Sequence, residues 1–271
     1  MRHGLVIFTD LDGTLLDSRT YDFTPALPAL DLIHSRGVPL ILVSSKTRAE
    51  IEVLRRKLAP DSPFISENGG AIFFARTFVL PEGIAYEERG PYKAVTLGRP
   101  IEEVLDRAAK LKGEFRFRGF SEMSCQEIAA LTQLKQEEAL LASKREFDEP
   151  IVLENFVEYG ERFCKKAVEL GLECVTGGRF IHLSMGANKG RAVERVLTIY
   201  RELEGPVCSV GLGDSPNDIP MLEVVDKAVV MVPRGAGAMR DFVHSDLIWA
   251  EGGGPEAWSK AILAIVEDLA S

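Results

Sequence analysis

The sequence predicts an α/β protein built on a doubly wound, mostly parallel sheet, with a smaller α+β unit inserted in its middle. Three observations predict it. Towards both ends of the chain, continuous apolar runs alternate with stretches of helical spacing, the pattern of βαβ units whose strands are covered on both faces. From about residue 84 to residue 185 that texture gives way to charged and aromatic residues in alternation and to short paired strands. After residue 185 the parallel pattern resumes. The predicted core therefore comprises residues 1–83 and 186–271, and the predicted insertion, a cap over the core, comprises residues 84–185.

"GLVIFTD" is the first buried strand. "TPALPALDLIHSRG" sets Leu27, Leu30 and Ile33 at helical spacing and stops at Gly37. "VPLILVSS" is a second buried strand, and "KTRAEIEVLRRKLA" carries Ile51, Leu54 and Leu58 on one helical face. "PFISENGG" and "AIFFA" predict short strands about a glycine turn. In the insertion, "YKAVTLG" predicts a strand, "RPIEEVLDRAAKLKG" a helix with Pro100 near its first turn, and "EFRFRGF" a half-exposed strand. Helical pieces over residues 125–134 and 135–143 precede the strand "EPIVLE" and a helix over residues 156–170. The hairpin "GLECVTGGRFIHLSM" turns about Gly177-Gly178. The core resumes with the helix "KGRAVERVLTIYREL", the strand "PVCSVGLGD", a short helix in "SPNDIPMLEVV", the strand "KAVVMVP" and a helix over residues 254–269.

With 271 residues, 46% of them hydrophobic, the chain can bury a sizeable core. Its net charge is −9, from 41 acidic against 32 basic residues, with no Lys/Arg cluster, which argues against a nucleic-acid or anionic-membrane surface. No apolar run approaches the length that spans a bilayer. The N-terminal apolar stretch lacks a small-residue cleavage site and is read as a strand, not a signal peptide. The four cysteines lack C-x-x-C spacing, so a zinc site is not expected, and reduced thiols in a cytoplasmic protein are. Nothing points to an obligatory protein partner.

In a doubly wound sheet, ligands sit beyond the carboxyl ends of the strands. The first strand ends in Asp10 and Asp12, and the second in Ser44, Ser45 and Lys46. "VCSVGLGD" ends in Asp214, followed by Asn217 and Asp218, and Lys189 opens a helix. Carboxylates gathered on one rim need a counter-charge. Mg²⁺ supplies it with a few carboxylate oxygens, waters and a substrate phosphate. A lysine and a serine hydroxyl can hold that phosphate while a carboxylate attacks phosphorus in line. This chemistry is phosphoryl transfer through an aspartyl-phosphate.

"FTDLDGTLL", "LVSS", "NKG" and "GLGDSPNDIPML", in that order, resemble the four motifs of the haloacid dehalogenase-like (HAD) phosphatases. The insertion matches the position of that superfamily's larger (C2B-type) cap over a Rossmannoid core. The resemblance implies that Asp10 is the nucleophile, and that Asp12 protonates the leaving oxygen and then activates water. It implies that Ser44 bonds the transferred phosphoryl group, with Thr14 supporting the phosphate loop, and that Lys189 stabilises its charge. Asp10, the backbone carbonyl of Asp12, and Asp214 would bind Mg²⁺, with Asp218 ordering the metal's water or Lys189 and Asn217 assisting.

"VSSKTRAE", "KREFDEP" and "GGRFIHLSMGANKG" resemble the mannosyl-3-phosphoglycerate phosphatases within that superfamily. A small phosphorylated sugar is the substrate this implies, with mannosylglycerate and phosphate as products. Phosphatases of sucrose, trehalose or hexose phosphates, and a phosphomannomutase-like isomerase, are the alternatives. The donors expected to meet a glycerate carboxylate and sugar hydroxyls are Ser45, Lys46, Arg48, Asn68 and Arg179, with Arg145 and His182, and backbone N–H groups at Gly177 and Gly178. Blander readings stand beside these. Asp218 also suits a helix cap, Arg145 an ion pair with Glu149, and His182 a strand-face residue with no chemical role. Hinges for cap closure are expected at residues 81–83 and 186–187.

Overall fold

A computed structural model describes residues 4–177, 180–231 and 239–268. Among these residues the backbone forms two sheets. The larger begins with β1 (Gly4–Thr9), β2 (Leu40–Val43), β3 (Phe64–Ser66), β4 (Ala71–Ala75), β5 (Glu87–Arg89) and β6 (Tyr92–Thr96). The smaller holds β7 (Phe117–Gly119), β8 (Asp148–Leu153), β9 (Glu173–Gly177) and β10 (Phe180–Ser184). The chain then returns to the larger sheet with β11 (Val207–Gly213), β12 (Lys227–Met231) and β13 (Leu247–Ala250). Helices α1 (Leu27–Ser35) and α2 (Arg48–Leu58) follow β1 and β2. The middle of the chain holds α3 (Ile101–Ala108), α4 (Cys125–Thr132), α5 (Gln136–Ala142) and α6 (Phe156–Glu169). The last third holds α7 (Lys189–Glu204), α8 (Ile219–Leu222) and α9 (Gly254–Asp268).

The larger sheet runs β13, β12, β11, β1, β2, β3, β4, β6, β5. Neighbours from β13 to β3 are parallel, and β4, β6 and β5 extend the sheet antiparallel. β1 lies in its middle and feeds both faces. Ile7 packs with residues of α1, α2 and α9, while Val6 and Phe8 pack with residues of α7 and α8. Alternation at period two, with both faces apolar, is why "LVIF" reads as an unbroken hydrophobic run. In the smaller sheet, β7–β8, β8–β10 and β10–β9 are all antiparallel. Phe115, Phe117 and Phe163 form its core with residues of α3 and α6.

Local signals set the helix starts that matter for the site. Thr47 caps α2: its Oγ1 accepts the Glu50 N–H, and Glu50 Oε2 accepts the Thr47 N–H in return. Asn188 caps α7, its Oδ1 accepting the Arg191 N–H at 3.0 Å, and so fixes Lys189 as the first helical residue.

One boundary and the state of the cysteines differ from expectation. β5 and β6, placed by the sequence in the insertion, pair with the larger sheet, where Tyr92 packs edge-on against Phe64 and Phe73. An alternating strand suits either sheet, so its own residues do not say which one it joins. The chain crosses between the sheets at residues 97–99 and 185–187 instead of near residue 83, and the Arg99 N–H donates to the Met185 carbonyl where the two crossings meet. The second correction concerns the cysteines. Cys164 of α6 and Cys174 of β9 are joined in a disulfide, with their Cα atoms 5.3 Å apart, because α6 packs along β9. Cys125 and Cys208 are free. No helix of the described residues is long and apolar enough to cross a membrane.

Candidate active site

The carboxyl end of β1 carries Asp10. Its N–H donates to the Leu212 carbonyl of β11 at 2.9 Å. Trp258 of α9 donates to Thr9 Oγ1 at 3.0 Å, and Thr9 Oγ1 donates to the Asp10 carbonyl at 2.8 Å, so α9 holds the end of β1 in place. Gly13 follows with φ +86°, and a Cβ there would lie 2.6 Å from Asp214 Oδ2. Only glycine lets the turn after β1 close against the loop after β11.

Lys189 Nζ reaches Asp10 Oδ1 at 2.7 Å and Asp218 Oδ1 at 2.6 Å, and is 1% exposed. Asp218 Oδ2 accepts the N–H groups of Asp214 at 3.0 Å and Ser215 at 3.1 Å. Asp218 therefore shapes the 214–218 turn and anchors the lysine at once. Burial, then the neighbouring Asp218, pushes the Asp10 carboxyl well above its usual range, and Lys189 does not offset them. Burial, then Asp218, lifts Asp214 to about 7. Lys189 is held above its usual range, because Asp10 and Asp218 outweigh its burial.

This site holds more negative charge than its lysine balances. Asp10, Asp214 and Asp218 each present an oxygen within 4.8 Å of the others. Asp12 Oδ1 is buried without a partner among the described residues, while its Oδ2 lies 2.8 Å from Lys46. Oxygen ligands, shortage of positive charge and an unpaired carboxylate oxygen fit a hard divalent cation.

Above the acids lies a cavity of about 480 Å³ between the two sheets. Asp10, Asp12, Lys46 and Asp214 line it from the larger sheet's side, and Phe120, Arg145, Phe180 and His182 from the other. Ser45 and Asn217 also reach it. Ser44 is buried beside it, its Oγ accepting the Lys46 N–H at 3.2 Å. Thr14 is buried and donates to Asp214 Oδ1 at 3.4 Å. Asn68 lies behind the wall, donating to Asp148 Oδ2 at 2.9 Å and accepting from Asn217 Nδ2 at 3.2 Å. Arg48 does not join the site: its guanidinium pairs with Glu146 at 2.8 Å and Glu52 at 2.9 Å. The i,i+4 acid and an acid from the distant 146 position claim it first. Arg145 pairs with Asp148, at 3.6 Å, and donates to the Ser45 carbonyl, while Glu149 instead accepts from Ser121. Gly177 ends β9 opposite Phe180, and Gly178 and Arg179 lie outside the described residues.

Two buried acids were missed by sequence reasoning. Glu67 is fully buried with φ +49°, and its Oε2 accepts the N–H groups of Glu146, Phe147 and Asp148 at 3.0, 2.8 and 2.9 Å. It ties the larger sheet to the start of β8. Burial pushes its carboxyl up to about 8, against the pull of Arg145. Asp148, also fully buried, accepts from His182 Nδ1 at 2.8 Å. The one signal was an acid set in the otherwise apolar and glycine-rich "FISENGGAIFF".

A family model for haloacid dehalogenase-like hydrolases matches residues 7–89. The chain is 38% identical over 271 residues, 98% of each chain, to a glucosyl-3-phosphoglycerate/mannosyl-3-phosphoglycerate phosphatase of Persephonella marina. The chain belongs to the haloacid dehalogenase-like hydrolases. A protein of the same name from Methanococcoides burtonii is also 38% identical, over 273 aligned residues and 98% of each chain. A solved sugar phosphatase of HAD subclass IIB shares the fold at a TM-score of 0.65 and 19% identity, covering 96% of this chain and 98% of that one. On this kinship the chain is a phosphoric monoester hydrolase.

Proposed function

We propose that this enzyme hydrolyses mannosyl-3-phosphoglycerate to mannosylglycerate and phosphate, in two steps through a phosphorylated Asp10. The observation that carries the reading is the Lys189 bridge, which holds Asp10 Oδ1 and Asp218 Oδ1 at 2.7 and 2.6 Å under the cavity. One oxygen of Asp10 is so fixed, and the other attacks phosphorus. The bond from phosphorus to the glycerate oxygen breaks, and Asp12 delivers a proton to that oxygen. Asp12 then takes a proton from water, the water oxygen bonds to phosphorus, and the bond from phosphorus to Asp10 breaks. Lys189 spreads the charge that grows on the phosphoryl oxygens.

Asp10, the Asp12 carbonyl and Asp214 would hold Mg²⁺, which supplies the missing positive charge and polarises the phosphoryl group. With both of its oxygens engaged, Asp218 is assigned to Lys189 and the 214–215 turn before the metal. The smaller sheet and its helices act as the cap that selects the substrate, since the cavity lies between it and the acids. The names of the two relatives favour a glycosyl-phosphoglycerate over a simple hexose phosphate.

The test is phosphate release with Mg²⁺ over a panel holding mannosyl- and glucosyl-3-phosphoglycerate, mannose 6-phosphate, sucrose 6-phosphate and trehalose 6-phosphate. The expected result is the highest kcat/KM on the phosphoglycerate glycosides. A higher value on any of the other three overturns the substrate assignment.

A further inference from the structure

His182 carries more structure than a strand-face residue needs. It lies on β10, where it pairs with Pro150 of β8, and both residues line the cavity. Its Nδ1 is bound to Asp148, at 2.8 Å from Oδ1 and 3.0 Å from Oδ2, which leaves Nε2 as the ring nitrogen for a ligand. Asp148 is 0% exposed. Asn68 donates to its Oδ2 at 2.9 Å, and Arg145 stands 3.6 Å from its Oδ1. Its carboxyl is held below the usual range, because His182, Arg145 and Asn68 together outweigh its burial. The Asp148 carboxylate against Nδ1 fixes the ring's orientation.

Arg145 is fixed in the same manner. Its Nε donates to the Ala142 carbonyl and its Nη1 to the Ser45 carbonyl, while the guanidinium stacks on Phe120, 5.6 Å from the ring centroid. Arg145 and His182 therefore face one side of the cavity, braced by one buried acid, across from Asp10. Asn68 also accepts from Asn217, so the same acid is tied to the loop that carries Asp214 and Asp218.

We propose that His182 reads the carboxylate of the substrate's leaving group, and that Asp148 is the positioning residue that aims it. This rests on the phosphoglycerate reading, because a glycerate leaving group bears a carboxylate and a hexose does not. A site that hydrogen-bonds one charged group rejects analogues that lack it, since its own buried donors are then left unpaired.

The experiment compares kcat/KM on mannosyl-3-phosphoglycerate with that on mannose 6-phosphate, for wild type, His182→Ala and Asp148→Asn. The expected result is that His182→Ala lowers the ratio of the two by about 10- to 100-fold, chiefly through KM for the glycerate compound. Asp148→Asn, which keeps the side chain's shape, lowers the same ratio by a smaller factor. An unchanged ratio in His182→Ala, whether both activities persist or both fall together, overturns the proposal and leaves the enzyme's substrate standing. A wild type without preference for the glycerate compound overturns the substrate reading, and this inference with it.

Discussion

Lys189 Nζ sits between Asp10 Oδ1 and Asp218 Oδ1, and no other side chain brings a positive charge as close to either acid among the described residues. The three residues come from different parts of the chain and meet at the carboxyl ends of β1 and β11 and the start of α7. The lysine orients one oxygen of Asp10 and keeps two buried carboxylates compatible.

Replacing Lys189 by Met leaves those carboxylates buried without their cation. Turnover should fall by about 10²-fold or more. Stability should fall by about 3 kcal/mol in chelator-treated protein, the scale for breaking a buried pair. Denaturant melts and steady-state kinetics check both. Turnover within twofold of wild type would contradict the role given to the lysine.

Metal removal is the second prediction. Treatment with a chelator should abolish phosphate release, and Mg²⁺ should restore it where Na⁺ does not. Mg²⁺ should also raise the melting temperature of wild type, and raise it less in Asp214→Asn. Equal shifts in the two proteins would remove Asp214 from the metal's ligands.

Gly69 lies at φ +97°, and a Cβ there would meet the Asn188 carbonyl at 2.2 Å. Gly69→Ala should therefore cost about 2 kcal/mol or more, and should displace the residue that caps α7 just before Lys189. The expected outcome is lower stability together with lower kcat. Gly83, at φ +86° but with open space around it, is the control for strain alone.

Glu67 predicts a pH dependence. Its carboxyl titrates near 8 in the folded protein, against an ordinary value of 4.5. The folded state thus binds this proton more tightly than the unfolded state. The contribution is fully present below about 4.5 and is lost as pH rises through about 8. Glu67→Gln cannot ionise, so the variant's stability relative to wild type should improve between about pH 5 and about pH 9. Urea melts across that range check it, and a difference independent of pH would contradict it.

The sequence shows Asp10, Asp12, Asp214 and Lys189 because each stands beside a local signal: an apolar run that stops, a glycine turn, a helix start. The sheet's alternation with helices is legible for the same reason. Glu67 and Asp148 escape, since their meaning lies in partners some 80 residues away: Glu67 accepts N–H groups at 146–148, and Asp148 accepts from Asn68. Membership of β5 and β6 escapes likewise, because a strand's alternation does not record which sheet it joins. Arg48 misled because a surface-helix arginine shows its charge in the sequence but not the two acids that bind it.

The central claim is that Asp10 takes the phosphoryl group, and trapping that group tests it most directly. Wild-type enzyme turning over substrate is quenched in acid within milliseconds, digested, and the fragment carrying Asp10 is examined by mass spectrometry. The account predicts one added phosphoryl group on Asp10, absent from unreacted enzyme, and no turnover in Asp10→Asn. An unmodified fragment, together with wild-type rates in Asp10→Asn, would contradict it.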